Sequence, residues 1–153
     1  MSDATAPFAR TAQVGWGDLD ANGHLRNTAY LDMSADTRMI YFASRGFPIA
    51  TFAELQIGPV VRGDQLEYFR ESRLLESLRI TLLAAGLSAD GARFRLCNEF
   101  WREDGRLAAR VSSEGGWLDL RQRRLTTPPE DLRQVLAELQ HTEAFEVLPD
   151  LNP

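Results

Sequence analysis

Residues 14–42, VGWGDLDANGHLRNTAYLDMSADTRMIYF, determine how the rest of the chain is interpreted. The first half of this stretch gathers carboxylates, amides, glycines and one histidine into a short loop. The second half has the spacing of a helix. Such a density of polar side chains is unusual in a plain connection, and functional side chains concentrate on loops held by rigid elements. The sequence therefore predicts a functional loop that leads directly into a helix.

The helix is predicted to begin at Asn27 and to end before Gly46. Asn27 is a preferred N-cap residue, whose side-chain oxygen can accept a hydrogen bond from a first-turn amide. Gly46 suits a left-handed C-cap, and Pro48 prevents the helix from resuming. Apolar residues cover most of the circumference, which predicts a helix buried nearly all round. Its free N-terminal amides face the polar loop and form an expected oxyanion site.

The composition indicates an ordinary folded protein. The chain has 153 residues, of which 44% are hydrophobic and 25% are charged, and this is enough for one domain with a real core. The net charge of −5 argues against nucleic acid as the main partner. Cys97 is the single cysteine, so no internal disulfide can form and a reducing, cytoplasmic location is expected. We see no signal peptide and no apolar run of membrane-spanning length, so membrane insertion is not expected.

One strand is predicted before the helix, and a meander of five strands is predicted after it. The predicted strands are 8–16, 52–62, 65–73, 78–85, 92–102 and 106–120. Glycine-rich or acidic turn signals separate them at 63–64, 88–91 and 103–105. The pair Gly115-Gly116 predicts a bulge or a close approach of two backbones.

The last part of the chain is predicted to carry one short helix. Thr127 can cap it, and the two prolines that follow suit a first turn. A single apolar stripe at helical spacing indicates that this helix lies on a surface. The stripe consists of Leu132, Val135, Leu136 and Leu139. We expect one domain over residues 1–153, with a core at 8–120 and a C-terminal extension at 121–153.

The order of the elements predicts an α+β fold in which one long antiparallel sheet wraps around a central apolar helix. A single sheet cannot surround a helix completely, and its helix needs cover on every side. A second copy of the chain is therefore expected to cover what remains. The expected assembly is a homodimer or, as a dimer of dimers, a homotetramer.

The loop and helix resemble the opening of the hotdog-fold acyl-CoA thioesterases, in particular those related to 4-hydroxybenzoyl-CoA thioesterase. The resemblance rests on WGDLD at 16–20, GH at 23–24 and NTAY at 27–30, and it extends over about residues 8–120. It implies that Asp20 is the catalytic carboxylate. It also implies that the backbone amide at Asn27 polarises the thioester carbonyl.

The same resemblance suggests roles for three neighbouring residues. His24 is a catalytic candidate that could donate to the thioester oxygen or orient Asp20. Arg26 and Thr28 are candidate substrate-binding residues. Because the family commonly has a neutral amide at the position of Arg26, this cation could meet a coenzyme A phosphate or pair with Asp20.

Other readings of the polar residues are weaker. Asp18 is expected to bond loop amides, and Asp36 on the helix is a minor catalytic candidate, because a second hotdog branch carries its carboxylate there. The loop matches the start of a calcium-binding EF-hand, but the twelfth position, which needs a bidentate glutamate, is Ala29. One cysteine and two distant histidines give no zinc ligand spacing. We therefore expect neither metal nor cofactor, and Cys97 is expected to be inert.

The resemblance implies an acyl-CoA thioesterase, which would hydrolyse the thioester of coenzyme A or of an acyl carrier protein to a free acid. Because a fold does not fix a function, the alternative is a non-catalytic acyl-CoA or acyl-carrier binding or scaffold protein of the same fold. A hotdog dehydratase ranks last, since the catalytic residues of that class lie elsewhere on the fold.

Overall fold

The protein has an α+β hotdog fold, in which one sheet packs against a long helix. The computed structural model describes residues 6–152. Its sheet has seven strands, nearly all antiparallel. The elements are β1 Phe8–Gln13, a 3-10 turn Trp16–Asp18, α1 Asn27–Ser44, α2 Ile49–Leu55, β2 Ile57–Tyr68, β3 Ser77–Ser88, β4 Arg93–Arg102, β5 Leu107–Asp119, β6 Arg124–Thr126, α3 Glu130–Ala137 and β7 His141–Leu148. The predicted fold class is confirmed.

The strands follow the order β1-β3-β4-β5-β2, with β6 beside β5 and β7 beside β3. Two strands share the outer side of β3. The strand β1 pairs with residues 77–82 of β3, whereas β7 runs parallel to its other end. The strand β2 forms the opposite edge, and no strand in residues 6–152 pairs with its outer side.

Helix α1 begins at the predicted residue, but the predicted cap is wrong. Arg26 is the N-cap, without a capping side-chain hydrogen bond, and Asn27 is the first helical residue. The helix ends at Ser44, where the predicted left-handed glycine is confirmed because Gly46 has φ +92°. The N–H of Phe47 then donates to the carbonyl of Phe42 at 2.8 Å and closes the helix end.

One stripe of α1 faces the sheet, so the prediction of a helix buried nearly all round is wrong for the single chain. The opposite face exposes Asp32, Asp36 and Ile40. Residues three and four apart lie on the same face of a helix. The number of apolar residues alone therefore does not show that both faces are buried. The buried residues of the stripe are Ala29, Tyr30, Met33, Ser34, Thr37, Tyr41 and Phe42.

The predicted strands 52–62 and 65–73 are confirmed only over residues 57–62 and 65–68, and the turn predicted between them is wrong. Residues Ile49–Leu55 form α2, and β2 then runs without interruption through the expected turn. Its partner β5 pairs with it along the whole length, from Ile57 opposite Asp119 to Tyr68 opposite Ala109. A bulge between Val61 and Gly63 absorbs the irregularity that resembled a turn. The remaining predicted strands are present with shifted ends.

The C-terminal elements join the same sheet and core. Helix α3 is present and its predicted apolar stripe is buried, but its N-cap is Pro129 and not Thr127. Sequence analysis did not predict the strand β7. It is a largely exposed edge strand, and its few apolar residues, such as Phe145 and Val147, show no clear alternation.

The interior has two apolar clusters, one at each end of α1, and a polar group between them. One cluster lies around Phe42 and Trp117, and the other lies around Tyr30 and Phe100. Between them Arg38 of α1 donates to Oδ1 of Asn98 at 3.4 Å and to Oγ of Ser113 at 3.2 Å. The hydroxyl of Ser113 donates in turn to Asp64 of β2 at 2.5 Å. These contacts fix the position of α1 along the sheet.

The predicted close approach at Gly115-Gly116 is confirmed. A Cβ atom at Gly115 would lie 2.0 Å from the carbonyl oxygen of Val60, and one at Gly116 would lie 2.7 Å from that of Ala92. Neither oxygen can move without disturbing the pairing of β5. These two glycines are therefore required by the space between the strands.

We expect Gly115→Ala to lower the free energy of unfolding by about 1–3 kcal/mol or more, because an added methyl group would overlap the backbone of β2. Chemical denaturation measures the change. Gly17→Ala is the matched control, since a Cβ there meets nothing within 4 Å. An equal, small effect of both substitutions would contradict the close approach.

Candidate active site

Two hydrogen bonds of Asp18 join the start of the polar loop to its end. Its carboxylate Oδ2 accepts a hydrogen bond from the N–H of Gly15 at 3.0 Å. Its carbonyl accepts one from the N–H of Arg26 at 2.8 Å. These bonds join the 3-10 turn to the start of α1, which agrees with the expected structural role of Asp18.

Asp20 lies at the centre of a tight turn. Its Oδ1 accepts hydrogen bonds from the N–H groups of Asn22 at 2.9 Å and His24 at 3.1 Å. Gly23, at φ +77°, allows the chain to return so closely. The hydrogen bond from the His24 amide lowers the pKa of Asp20 below its ordinary value, and partial loss of solvent opposes this. Asp20 is therefore an exposed carboxylate that is ionised at neutral pH.

His24 meets a carboxylate that sequence analysis did not identify. Its Nε2 lies 2.9 Å from Oε2 of Glu71, and the same oxygen lies 3.2 Å from Arg73. The backbone also joins these regions, because the N–H of Leu25 donates to the carbonyl of Ser72 at 2.7 Å. Glu71 is far from the loop in sequence and was expected within a strand. No local pattern distinguishes it.

The first amides of α1 supply unpaired donors. The carbonyl of Arg26 accepts from Ala29 at 3.0 Å and from Tyr30 at 3.4 Å. Within the described range, the N–H groups of Asn27 and Thr28 have no protein acceptor. Such unpaired donors at a helix N-terminus favour negative charge.

Arg26 and Thr28 bind each other and not the loop carboxylate. The Nε of Arg26 donates to Oγ1 of Thr28 at 2.7 Å, and its Nη1 donates to the carbonyl of Gly17. Across the residues described here, Arg26 makes no ion pair with Asp20. The structure does not bring Arg26 or Thr28 into the cavity wall, so their role in substrate binding stays a prediction.

The loop, the start of α1 and the segment after β2 enclose a cavity of about 430 Å³. Asp20, His24, Asn27 and Glu71 line its polar side. Its aromatic side consists of Tyr30, Tyr68 and Phe69. The ring of Tyr30 meets that of Tyr68 edge-on at 5.8 Å. Burial raises the pKa of Tyr30, so its hydroxyl stays protonated at neutral pH.

The other candidates lie outside this cavity. Asp36 is exposed on α1, and Cys97 is buried in β4. Burial raises the pKa of Cys97 to about 11, so the thiol is protonated and a poor nucleophile. In residues 6–152 no three His, Cys, Asp or Glu side chains are grouped to hold a metal ion. The described helices include none that is both long and apolar enough to span a membrane.

Three solved structures share the fold across most of their length. A hypothetical protein from Staphylococcus aureus in complex with CoA is 22% identical, with a TM-score of 0.80 over 89% of this chain and 87% of that chain. A 1,4-dihydroxy-2-naphthoyl-CoA thioesterase from Synechocystis is 18% identical, with a TM-score of 0.77 over 90% and 100%. A DHNA-CoA thioesterase from Staphylococcus aureus is 16% identical, with a TM-score of 0.77 over 85% and 88%.

The comparison with curated proteins finds no match. The family model of the thioesterase-like superfamily matches residues 14–136, which include the polar loop, α1, the sheet strands β2 to β6 and most of α3. The chain therefore belongs to the thioesterase-like superfamily.

Proposed function

We propose that the protein is an acyl-CoA thioesterase that hydrolyses a thioester to a free acid and coenzyme A. The observation that carries this proposal is the grouping of three features around one cavity. They are the ionised Asp20, the His24–Glu71 pair and the unpaired amides at the start of α1. Membership of the thioesterase-like superfamily supports the proposal.

The start of α1 would stabilise the charge that develops in the reaction. When a nucleophile attacks a thioester, negative charge forms on the carbonyl oxygen. The unpaired N–H of Asn27, a residue that lines the cavity, can donate to that oxygen, and the helix dipole favours the charge. Donors that are already oriented do not have to reorganise during the reaction.

Asp20 is suited to attack, because its lowered pKa keeps it ionised. It would either add to the carbonyl carbon, displacing the thiolate and forming an anhydride that water then hydrolyses to the free acid, or accept a proton from a water molecule that itself adds to the carbonyl carbon and displaces the thiolate. In the first route His24 can accept the proton of the water that hydrolyses the anhydride. Glu71, 2.9 Å from the imidazole, would then stabilise the imidazolium. The departing coenzyme A thiolate finally takes up a proton.

A specific observation favours the non-catalytic alternative. Oδ1 of Asp20 is already engaged by two loop amides, as in a turn that needs an aspartate for its shape. In that case the protein would bind an acyl-CoA or acyl-carrier thioester without cleaving it. Substitution of Asp20 separates the two functions, because only the enzyme needs a charged oxygen.

The cavity supports a thioester substrate with a compact acyl group. Its walls combine three aromatic rings with charged residues, and its volume is about 430 Å³. Coenzyme A as the carrier is supported by the similar Staphylococcus aureus protein, whose structure contains CoA. Arg70 lines the same cavity and offers a cation for a phosphate group. We expect an enzyme that acts on acyl-CoA to work in the cytoplasm.

We further propose that the protein works as a homodimer, or as a dimer of dimers. The outer edge of β2 offers unpaired backbone groups, which readily pair with a second chain. Apolar side chains are also exposed, including Tyr68 at the end of β2 at 57% and Ile40 on α1 at 44%. Trp16 in the polar loop is 81% exposed, so a partner that covers the loop would bury it.

Asp20→Asn should lower kcat by on the order of 10²–10⁴, because the amide keeps the shape but loses the charge. Hydrolysis of acyl-CoA measured by thiol release gives the value, and the folded state and acyl-CoA binding should persist. Asp18→Asn should mainly lower stability, and Cys97→Ser should leave turnover nearly unchanged. If Asp36→Asn lost activity while Asp20→Asn kept it, the catalytic carboxylate would lie on α1.

Glu71→Gln should lower kcat by on the order of 10-fold to 100-fold, because it removes the charge that holds and stabilises the His24 imidazole. We expect KM to change much less, and the pH profile of kcat to change shape. The matched control is Glu67→Gln on β2, since Glu67 pairs with Arg110 away from the cavity. Equal activity of the two variants would remove Glu71 from the mechanism.

Light scattering at micromolar concentration should give the mass of a dimer or tetramer. Val61→Lys places a charge on the edge strand β2 and should shift the protein towards the monomer. Val147→Lys, on β7 at the other edge of the sheet, is the control and should leave the mass unchanged. A stable, folded wild-type monomer would contradict the proposed assembly.

A further inference from the structure

A second cavity lies on the face of the sheet opposite α1. It has a volume of about 520 Å³ and shares no lining residue with the candidate active site. Ser113 of β5 faces α1, where it contacts Arg38. Alternate residues of a strand face opposite sides, so Glu114 and Gly116 face this second cavity. The two cavities are therefore separate sites.

The cavity also lies towards the other end of the strands. Tyr68 of the active-site cavity pairs with Ala109 of β5, whereas Val60 of the second cavity pairs with Gly116. These two positions on β5 are separated by roughly 23 Å at the rise of a β-strand. A ligand in the second cavity would thus not reach Asp20.

Two of the three arginines that line this cavity lack a counter-charge. Arg95 is paired with Glu114 and Glu146. Within the part of the chain that the structure describes, Arg62 and Arg93 make no ion pair. This leaves two guanidinium groups available to an anion, while the carboxylate of Glu114, which also lines the cavity, is paired with Arg95.

Arg93 gives the second observation. Its Nε is buried and has no hydrogen-bond partner in the described residues. A buried donor without an acceptor is costly, so such groups are normally satisfied by protein, water or ligand. A guanidinium group matches the planar arrangement of carboxylate or phosphate oxygens and can bind them with two parallel hydrogen bonds. The guanidinium of Arg93 lines the cavity and has no ion pair in the described residues, which favours an anionic ligand.

Much of the remaining lining is apolar. It includes Val60, Leu125 and Leu148, and Gly116 has no side chain to fill the space beside Leu125. An inorganic anion would leave this apolar surface unused. The combination of apolar surface and unpaired arginines fits a molecule that carries one charged group on an apolar body.

We propose that this cavity binds a small amphipathic anion, with its carboxylate or phosphate group on Arg93 and Arg62 and its apolar part between Leu125 and Leu148. The proposal is independent of the function of the Asp20 site. The anionic group could belong to a free carboxylic acid or to an alkyl phosphate. Both sources share the chemistry that the two arginines recognise.

Isothermal titration calorimetry of the full chain tests the proposal with octanoate, octyl phosphate and inorganic phosphate as separate probes. Arg93→Met keeps the side-chain length and removes the guanidinium, and Leu125→Glu places a negative charge on the wall. We expect each substitution to weaken binding of the preferred organic anion by on the order of 10-fold to 100-fold. Arg79→Met, on an exposed residue of β3 outside the cavity, should change the affinity less than about twofold.

The probes identify the source of the anionic group. Octanoate binding that both cavity substitutions weaken assigns a carboxylic acid, and the same result with octyl phosphate assigns a phosphate. Binding of inorganic phosphate alone would overturn the role of the apolar walls. The proposal also fails if no probe binds at millimolar concentration. It fails equally if Arg93→Met and Leu125→Glu, both folded by circular dichroism, leave every affinity unchanged.

Discussion

The candidate active site depends on one backbone contact between two distant parts of the chain. The N–H of Leu25 donates to the carbonyl of Ser72, and beside it the backbones of His24 and Arg73 form an isolated antiparallel β-bridge. Without this contact the polar loop and the end of β2 would be separate surface features. With it, Glu71 lies beside His24, and the cavity gains its aromatic wall from β2. The register of β2 on β5 fixes where that wall stands.

The packing of α1 determines where the donors of the site point. The apolar cluster around Tyr30 holds the first turn of α1 against the sheet, and the Arg38 contacts prevent the helix from sliding. The unpaired amides at its start are consequently held by a rigid element. The two carboxylates of the site, Asp20 and Glu71, are exposed, and contacts from the loop and from the segment after β2 hold them. This arrangement is what a preorganised site for a developing negative charge requires.

Sequence analysis identified the loop, α1, the fold and most strands, because these depend on local signals. The Gly23 turn, the spacing of α1 and the alternation in β4 are each visible within about ten residues of sequence. Three features that sequence analysis did not predict have a common physical cause. The bulge in β2, the strand β7 and the pairing of Glu71 with His24 are decided by partners far along the chain. The capping error at Asn27 has a different source, since Arg26 takes the N-cap position when its amide bonds to Asp18.

In the proposed function, Asp20 on the loop before α1 carries out the cleavage of the thioester. A hydrolysis screen with acyl-CoAs of graded chain length and with aromatic acyl-CoAs tests it most directly, with thiol release as the readout and the Asp20→Asn protein run in parallel. We expect the wild type to turn over at least one compact acyl-CoA, and the variant to lose that turnover. Acyl-CoA binding with no turnover by the wild type, or equal turnover by both proteins, would contradict it.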